Sequence, residues 1–418
     1  MSLRNLLYAQ SGGVTAVINA TAASVIEAAR AHTDRLGHVY AGRHGIVGVL
    51  QEELFDTSLL SDAELARLAR LPGGAFGSCR FDLDAPEENP AQYDRLFEVL
   101  AAHNIGYFLY NGGNGSMDTV AKISRAARER GYPLTTIGVP KTVDNDLEGT
   151  DCSPGFASAG KYLATSMLEA GLDLRAMASR VGRAFVLEVM GRNAGWLAAA
   201  TAMASRDPDE PPHIILLPER TFDEAQFLER VETTVARLGY CAITVSEGIC
   251  DADGSRVMEQ KDLDPRYVQL GGAGQIIARR IEQAFGFKHH WAIPDYLQRA
   301  AGHLVSTADL AHARAVGHRA VDYALEERDN VMPAIRRLSD APYAWDVVPV
   351  DVERIANLER LVPDAFIRED GLHVSDAARA YLQPLIEGET DTTWVSGLPD
   401  YRRIDCPLLP QRLAPYVV

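Results

Sequence analysis

Seven consecutive residues carry an amine, a hydroxyl and two carboxylates, which are the groups of a phosphoryl-transfer centre. They read Pro140-Lys141-Thr142-Val143-Asp144-Asn145-Asp146. The preceding residues 134–139 are rich in β-branched side chains and predict a buried strand, and ligands of open α/β sheets bind beyond that end of a strand. Asp144 could accept a proton and Lys141 could hold a phosphate, whereas Thr142 or Asp146 could contact a metal or the transferred group. A polar turn that hydrogen-bonds its own backbone is the alternative interpretation.

Two glycine-rich turns supply the backbone groups that a phosphate needs. Each follows a predicted strand, at residues 5–9 and 107–110, and each precedes a predicted helix. Glycines let backbone N–H groups approach an anion, and the start of a helix adds partial positive charge. Neither turn has the spacing of a dinucleotide fingerprint or a P-loop, which argues against a Rossmann dehydrogenase and a P-loop NTPase. The turns are Ser11-Gly12-Gly13 and Asn111-Gly112-Gly113-Asn114-Gly115-Ser116.

Strands and helices alternate through most of the chain, which predicts doubly wound, mostly parallel sheets of the α/β class. We expect α/β domains at residues 1–145 and 146–260 with the site in the cleft between them, a helical segment at 261–330, and a C-terminal extension at 331–418. The further predicted elements are helices at 155–178, 194–204 and 223–238, and strands at 185–189, 213–217 and 242–245.

The last third of the chain has weaker patterns. Residues 271–325 predict helix, with an interruption at Pro294. Beyond them, residues 351–360 form a charged helix candidate and residues 375–383 another. The role of this extension does not follow from its composition.

Composition excludes several classes of function. The chain has 418 residues, a formal net charge of −16 and a pI near 5.2, which argues against nucleic acid as a partner. No apolar run approaches the roughly 18 residues of a membrane span, so no membrane partner is expected. The five cysteines lack metal-ligand spacing and suit a reducing compartment. We therefore expect a cytoplasmic enzyme that acts on small molecules.

Five motifs in this order resemble the phosphofructokinase family, and specifically its pyrophosphate-dependent branch. The resemblance covers roughly residues 1–330 and implies that family's fold, with a donor domain at 1–145, a sugar-phosphate domain at 146–260 and a helical segment at 261–330 that crosses between both. It implies reversible, Mg²⁺-dependent phosphoryl transfer from pyrophosphate to fructose 6-phosphate. The motifs are Ser11-Gly12-Gly13, Gly112-Gly113-Asn114-Gly115-Ser116, Pro140-Lys141-Thr142-Val143-Asp144-Asn145-Asp146, Glu188-Val189-Met190-Gly191-Arg192 and Leu297-Gln298-Arg299.

The resemblance implies a role for each matching residue. Asp144 would be the general base on the 1-hydroxyl of fructose 6-phosphate, and Thr142 and Asp146 would support it at the phosphoryl group and the metal. Arg192 would contact the phosphate in transfer, and Glu247 would accept sugar hydroxyls. The other implied substrate-binding residues are Gly12, Gly13, Arg80, Gly113, Asn114, Gly115, Ser116, Arg183, Met190, Gly191, Tyr296 and Arg299.

The arginines have distinct implied positions. Arg299 and Arg183 match arginines that grip the sugar 6-phosphate, and Arg80 matches a residue between the donor and acceptor phosphates. In the family, the residues matching Arg183 and the His290 region come from a neighbouring subunit, so a homodimer or homotetramer is implied. His290 stands where an arginine is common, and Lys288 is close enough to substitute. Because the chain is acidic and the substrates are polyanions, its cations must be concentrated in the cleft.

Two markers of the phosphoryl donor disagree. Lys141 is typical of pyrophosphate users, whereas nucleotide users carry glycine there. Gly115, however, lacks the aspartate that pyrophosphate users commonly place in the space of the nucleotide α-phosphate. We favour pyrophosphate, with ATP as the alternative donor. A regulatory subunit that kept the fold without catalysis is a further alternative, against which the complete catalytic set argues.

Two more assignments concern carboxylates and the metal. Asn114 stands where the family has a metal-associated aspartate, and an amide oxygen is a weaker ligand for Mg²⁺, so the metal would rest more on Asp144 and Asp146. Glu188 and Glu247 both end hydrophobic strands, where a carboxylate can cap a neighbouring helix. We expect capping for Glu188 and a site role for Glu247.

Overall fold

A computed structural model describes residues 3–178, 182–257 and 271–418 of the chain. Two larger β-sheets organise these residues, one of seven strands and one of four. Helices cover both faces of each sheet, and this confirms the predicted α/β class with doubly wound, mostly parallel sheets. Within the described ranges, no helix combines the length and apolar character that crossing a membrane requires.

The first part of the chain alternates strands with helices. Its strands are β1 (Asn5–Gln10), β2 (Val39–Gly42), β3 (Leu54–Asp56), β4 (Ile105–Gly112) and β5 (Thr135–Pro140). Its helices are α1 (Ile18–Arg30), α2 (Gly45–Leu50), α3 (Asp62–Leu68), α4 (Pro90–Ala102) and α5 (Asn114–Arg130). β1 pairs in parallel with β2 and β4, β4 pairs in parallel with β5, and β3 is antiparallel to β2. The strands predicted at 5–9, 107–110 and 134–139 are thus confirmed.

The second part builds a fully parallel sheet with the order β7-β8-β6-β9. Its elements are α6 (Phe156–Ala176), β6 (Arg183–Val189), α7 (Trp196–Ala200), β7 (Ile214–Leu216), α8 (Glu224–Leu238), β8 (Tyr240–Ser246), α9 (Ala273–Phe285), β9 (Lys288–Ala292) and α10 (Tyr296–Ala300). The prediction of helix throughout 271–325 is wrong at β9. Pairing with β6 supplies the backbone hydrogen bonds of this strand, and its polar sequence gives no local signal of a strand.

The C-terminal part returns to the first sheet. Its elements are α11 (Thr307–Leu325), β10 (Val331–Asp340), β11 (Tyr343–Asp351), α12 (Asp376–Ile386) and the short strands β12 (Trp394–Val395) and β13 (Leu398–Pro399). β10 pairs in parallel with β5 at Val331, and β11 pairs antiparallel with β10. The sequence does not predict this hairpin, because each of its strands contains a proline. Pro333 lies opposite Pro349, beyond the pairing with β5 and next to the sheet edge.

The two helix predictions for the extension had different outcomes. The candidate at 375–383 is confirmed by α12, whose N-cap Ser375 accepts a hydrogen bond from the Ala378 backbone N–H. The candidate at 351–360 is wrong, because only the short 3₁₀ turn Val352–Arg354 forms there. The rest of that segment makes tertiary contacts with the loops described below.

Alternate residues of each central strand face different cores, as the two-residue period requires. In β1, Leu6 packs with α1 and α11, whereas Leu7 packs with α4 and α5. In β6, Leu187 packs with α6, α7 and α12, whereas Val186 packs with α8 and α9. Each sheet is therefore held between two helical layers, and its strands end at a shared edge.

α11 and the extension connect the two sheets. α11 packs against α1 and β5, while its buried Asp309 accepts hydrogen bonds from the N–H groups of Gly155 (2.8 Å) and Ser158 (3.0 Å) at the start of α6. β10 and β11 join the first sheet, and α12 contributes to the core of the second. The division of the chain into domains at residues 145, 260 and 330 stays a prediction.

Candidate active site

Loops from the carboxyl ends of both sheets meet at one place. From the first sheet come residues 11–13 after β1, residues 113–116 after β4 and residues 141–146 after β5. From the second sheet come residues 190–192 after β6 and Glu247 after β8. This is the edge at which open α/β sheets bind ligands, since parallel strands deliver their carboxyl ends to the same side.

Lys141 connects the loop after β5 to the glycine turn after β1. Its side chain is 3% exposed, and its ammonium Nζ donates to the Gly13 carbonyl at 2.6 Å. Gly12 has a φ of +73°, and a Cβ there would lie 3.2 Å from Nζ, so the lysine lies directly against this turn. Burial and Arg299 lower the pKa of Lys141 to about 8, against the opposing effect of Asp144. A cation is thus held inside the protein against the first glycine turn.

Arg80 and Arg299 add positive charge at the same turn. A Cβ on Gly13 would clash with the Arg299 guanidinium and would lie 3.7 Å from Arg80 Nη2. Arg299 stacks on the Tyr296 ring with its Cζ 4.4 Å from the ring centroid. Burial and the neighbouring Arg80 lower the pKa of Arg299. The expected concentration of cations in an acidic protein is therefore present at Gly13.

Asp144 and Asp146, in the loop after β5, lie opposite Asn114 in the turn after β4. The Asn114 Nδ2 donates to Asp146 Oδ2 at 3.3 Å, and Thr142 Oγ1 accepts a hydrogen bond from the Asp144 backbone N–H at 3.0 Å. Between them, Asn145 adopts a φ of +54°, a conformation that asparagine tolerates. Burial, together with Asp146 and Glu247, raises the pKa of Asp144 to about 7. Burial also raises the pKa of Asp146.

Three oxygens in this group are candidate metal ligands. Asp144 Oδ1, Asp146 Oδ1 and Asn114 Oδ1 are buried and accept no hydrogen bond from the described residues. Unsatisfied carboxylate and amide oxygens suit Mg²⁺, which is coordinated by oxygen. In the described ranges, no cluster of three or more His, Cys, Asp or Glu residues could hold a metal by itself. These three residues therefore fit Mg²⁺ only with further oxygen ligands from outside the protein chain.

The second sheet forms the other wall. Gly191 has a φ of +134°, and a Cβ there would lie 2.6 Å from the Ala194 carbonyl, so only glycine fits. Its N–H donates to Glu247 Oε1 at 3.4 Å, and the Met190 N–H donates to Gln298 Oε1 at 3.3 Å. Burial raises the pKa of Glu247, and the nearby Arg192 opposes that shift.

Glu188 has the capping position that the sequence predicted. Its carboxylate accepts hydrogen bonds from the N–H groups of Gly272 (3.1 Å) and Gly274 (2.7 Å) at the start of α9. Acidic groups at this end of a helix are stabilised by the helix dipole and by the unpaired backbone N–H groups. The Glu188 carboxylate thus caps α9 away from the cleft, whereas Glu247 faces the cleft.

A strap from the extension, residues 355–362, reaches the site and was not predicted. Both oxygens of Glu359 accept hydrogen bonds from Asn193 Nδ2, at 2.7 and 2.9 Å. The next residue, Arg360, donates its backbone N–H to the Asp146 carbonyl at 2.8 Å. The strap therefore contacts the loop of Asp146 and the loop of Arg192 together. Nothing in the sequence of the extension signals these contacts, because they join segments far apart in the chain.

Arg183 and His290 do not reach this site. Arg183 begins β6, whereas residues 190–192 follow the other end of that strand, roughly 20 Å away at the usual rise per residue. In the register of β6 and β9, Arg183 pairs with Lys288 and Phe185 with His290. The structure thus brings the other predicted site residues to the carboxyl ends of the strands. Arg183 and Lys288 lie instead at the amino ends of β6 and β9, and His290 lies two residues farther along β9.

Comparisons with known proteins agree with this geometry. The family model described as phosphofructokinase matches residues 5–324. The chain is 52% identical over 404 residues to the pyrophosphate–fructose 6-phosphate 1-phosphotransferase of Xanthomonas campestris, covering 96% of each chain. It is 51% identical over 415 residues to the protein of the same name in Methylococcus capsulatus, covering 99% of each. A crystal structure of pyrophosphate-dependent phosphofructokinase from Nitrosospira multiformis superposes with a TM-score of 0.92 at 47% identity, covering 100% of both chains. The chain therefore belongs to the phosphofructokinase family.

Proposed function

We propose that this protein reversibly transfers a phosphoryl group from pyrophosphate to the 1-hydroxyl of fructose 6-phosphate, giving fructose 1,6-bisphosphate and phosphate. The observation that carries the proposal is the buried Lys141 ammonium, which lies against the first glycine turn and near Asp144, while the Lys141 backbone is hydrogen-bonded to Gly112 of the second turn. A charge in that position favours a compact dianionic group over a neutral ligand. The named relatives at 51 and 52% identity support the same reaction.

Each group then has a chemical task. Lys141 and Arg80 hold the donor phosphates, together with the backbone N–H groups at the start of α5. Asp144 takes the proton of the 1-hydroxyl while the new O–P bond forms and the bridging P–O bond of pyrophosphate breaks. Arg192 stabilises the group in transfer. Mg²⁺, held by Asp144, Asp146 and Asn114, supplies charge neutralisation at the phosphate oxygens when bound.

The sugar phosphate occupies the wall formed by the second sheet. Glu247 accepts its hydroxyls, the backbone of Met190 and Gly191 lines it, and Arg299 on Tyr296 contacts its 6-phosphate. In this proposal, residues 1–145 bind the donor and residues 146–260 bind the sugar. All five cysteines are free thiols, which supports a cytoplasmic location.

A second copy of the chain completes the site. Arg183 lies at the amino end of β6, and the neighbouring edge strand β9 carries His290 and Trp291, which is 40% exposed. An exposed edge strand and a large exposed aromatic residue suit a subunit contact. We infer a homodimer or homotetramer in which Arg183 of one subunit reaches the 6-phosphate bound by another.

The variant Asp144→Asn tests the general base. We expect kcat to fall about 10²- to 10⁴-fold with little change in the KM for fructose 6-phosphate. Because the base must be unprotonated and its pKa in the ligand-free protein is raised to about 7, wild-type kcat/KM should increase with pH through that value, and the variant should lose this increase. Initial rates from pH 6 to 9 measure both effects. The exposed carboxylate of Glu148, as Glu148→Gln, is the control; a near wild-type kcat in Asp144→Asn contradicts the role.

The variant Lys141→Met tests the donor. It keeps much of the side-chain volume but removes the charge, so kcat/KM for pyrophosphate should fall more than tenfold, or about 1.4 kcal/mol. Rates with ATP should not fall in parallel. Lys161→Met removes a charge on α6, away from the cleft, and should leave both rates unchanged. Faster turnover of ATP than of pyrophosphate by the wild type would refute the proposed donor.

The variant Glu359→Ala tests the strap. Loss of its two hydrogen bonds to Asn193 should let the adjacent Arg192 loop shift, and kcat should fall about tenfold, since charge-assisted hydrogen bonds are worth about 1.5 to 3 kcal/mol. Glu359→Gln keeps one acceptor oxygen and should recover most of the rate. The exposed Glu353→Ala is the control. Equal kcat in Glu359→Ala and wild type, at equal thermal midpoints, would show that the strap has no catalytic effect.

A mixture of Arg183→Ala and Asp144→Asn subunits tests the shared site. A hybrid dimer contains one site with both residues intact, so random exchange should restore about one quarter of wild-type activity, because half of the pairs are hybrids. The subunits are mixed, denatured and refolded together, and each variant refolded alone is the control. A fully active monomer, observed by light scattering at the assay concentration, would exclude sharing.

A further inference from the structure

Asp82 occupies the space that a side chain on Gly115 would take. A Cβ built on Gly115 would lie 3.1 Å from Asp82 Oδ1 and 4.0 Å from its Cγ. Gly115 is exposed in the first turn of α5, within the proposed donor turn. A carboxylate therefore stands at the mouth of this turn, although the turn itself contains none. It is delivered by the loop that precedes α4.

That loop, residues 78–84, is fixed to the first glycine turn and to the middle of α5, and is called the bridging loop below. At its first end, Ser78 Oγ donates to the Gly12 carbonyl at 2.7 Å, and the Cys79 carbonyl accepts the Gly12 N–H at 2.8 Å. At its other end, Lys122 Nζ of α5 donates to the Leu83 carbonyl at 2.9 Å. Asp82 lies between these anchors, so they set the position of its backbone beside the donor turn.

The order of groups along the cleft gives this carboxylate a consequence. In the proposed function, Asp144 and Lys141 mark the reacting end. The Lys141 backbone N–H donates to the Gly112 carbonyl at 3.0 Å, and the Lys141 carbonyl lies 3.7 Å from the Cβ position of Gly113, so the second glycine turn begins beside this end. The turn continues to Gly115, beside which Asp82 lies. In the same proposal, the two phosphates of pyrophosphate lie between the cations and the start of α5. A longer polyphosphate would extend its next anionic group towards the Asp82 carboxylate, where like charges repel.

We propose that Asp82 is a specificity-determining residue that excludes nucleoside triphosphates from the donor site by electrostatic repulsion and by filling the space beside Gly115. The inference rests on the proposed function, because it explains how a pyrophosphate user rejects ATP. Glycine at 115 then has a second consequence, because it leaves room for the carboxylate of the bridging loop.

Kinetics of Asp82→Asn and Asp82→Ser with ATP and with pyrophosphate test the inference. Both variants remove the charge, and Asp82→Ser also removes volume. We expect kcat/KM for ATP to increase about tenfold, which corresponds to about 1.4 kcal/mol. Asp84→Asn is the matched control in the same loop, because Asp84 Oδ2 accepts a hydrogen bond from Asn89 and its charge is directed to α4; its ATP rate should equal that of the wild type.

The outcomes separate the two proposals. An increase of more than threefold in kcat/KM for ATP in either Asp82 variant supports the inference, and misfolding cannot produce a gain of this kind. An increase of threefold or less in both variants overturns it, while a wild type that uses pyrophosphate leaves the proposed function intact. A wild type that prefers ATP overturns the proposed function and, with it, the inference.

A relocation variant distinguishes the carboxylate from a change in the loop. Asp82→Ser combined with Gly115→Asp moves the charge from the bridging loop to the first turn of α5, where an acidic residue is well tolerated. The ATP activity gained in Asp82→Ser should fall again to within threefold of the wild type. ATP activity that stays high in the double variant would show that loop rearrangement caused the gain and would overturn the electrostatic explanation.

Discussion

The arrangement of the cleft depends on one buried charge, the Lys141 ammonium that donates to the Gly13 carbonyl. A buried cation is costly unless opposite charges and hydrogen bonds surround it. Here Asp144 and Asp146 provide the charge, and the hydrogen bond fixes the end of β5 against the end of β1. Burial lowers the pKa of Lys141 and raises that of Asp144, because it disfavours the charged form of each group, and the attraction between the two groups opposes both shifts.

The glycines around this charge are spatial requirements. Gly13 leaves room for the Arg299 guanidinium, Gly191 for the Ala194 carbonyl, and Gly115 for the Asp82 carboxylate. In each case a side chain would occupy the position of a group that contributes charge or a hydrogen bond to the cleft. The acidic chain can therefore concentrate cations at Gly13 and place a carboxylate a few residues farther along the same surface.

The extension has a mechanical role that its composition does not reveal. β10 and β11 add two strands to the first sheet, and α12 packs in the core of the second. The strap between β11 and α12 contacts both walls of the cleft. Tyr381 of α12 also accepts a hydrogen bond from the side chain of Asn145, which turns the chain between the two aspartates. Residues near the end of the chain thus hold the central loop in its conformation.

The sequence by itself determined the α/β class, most of the strands and helices before residue 270, the capping role of Glu188 and the loops that meet at the cleft. These features follow from local patterns, because a strand's hydrophobic period and the glycines after it are written in neighbouring residues. The roles of the individual site residues remain predictions.

The tertiary structure alone decided the sheet membership of β9, β10 and β11, the strap, and the approach of Asp82 to Gly115. Each depends on contacts between segments tens to hundreds of residues apart. The energies of such contacts come from packing and pairing in three dimensions, and no local period or propensity encodes them.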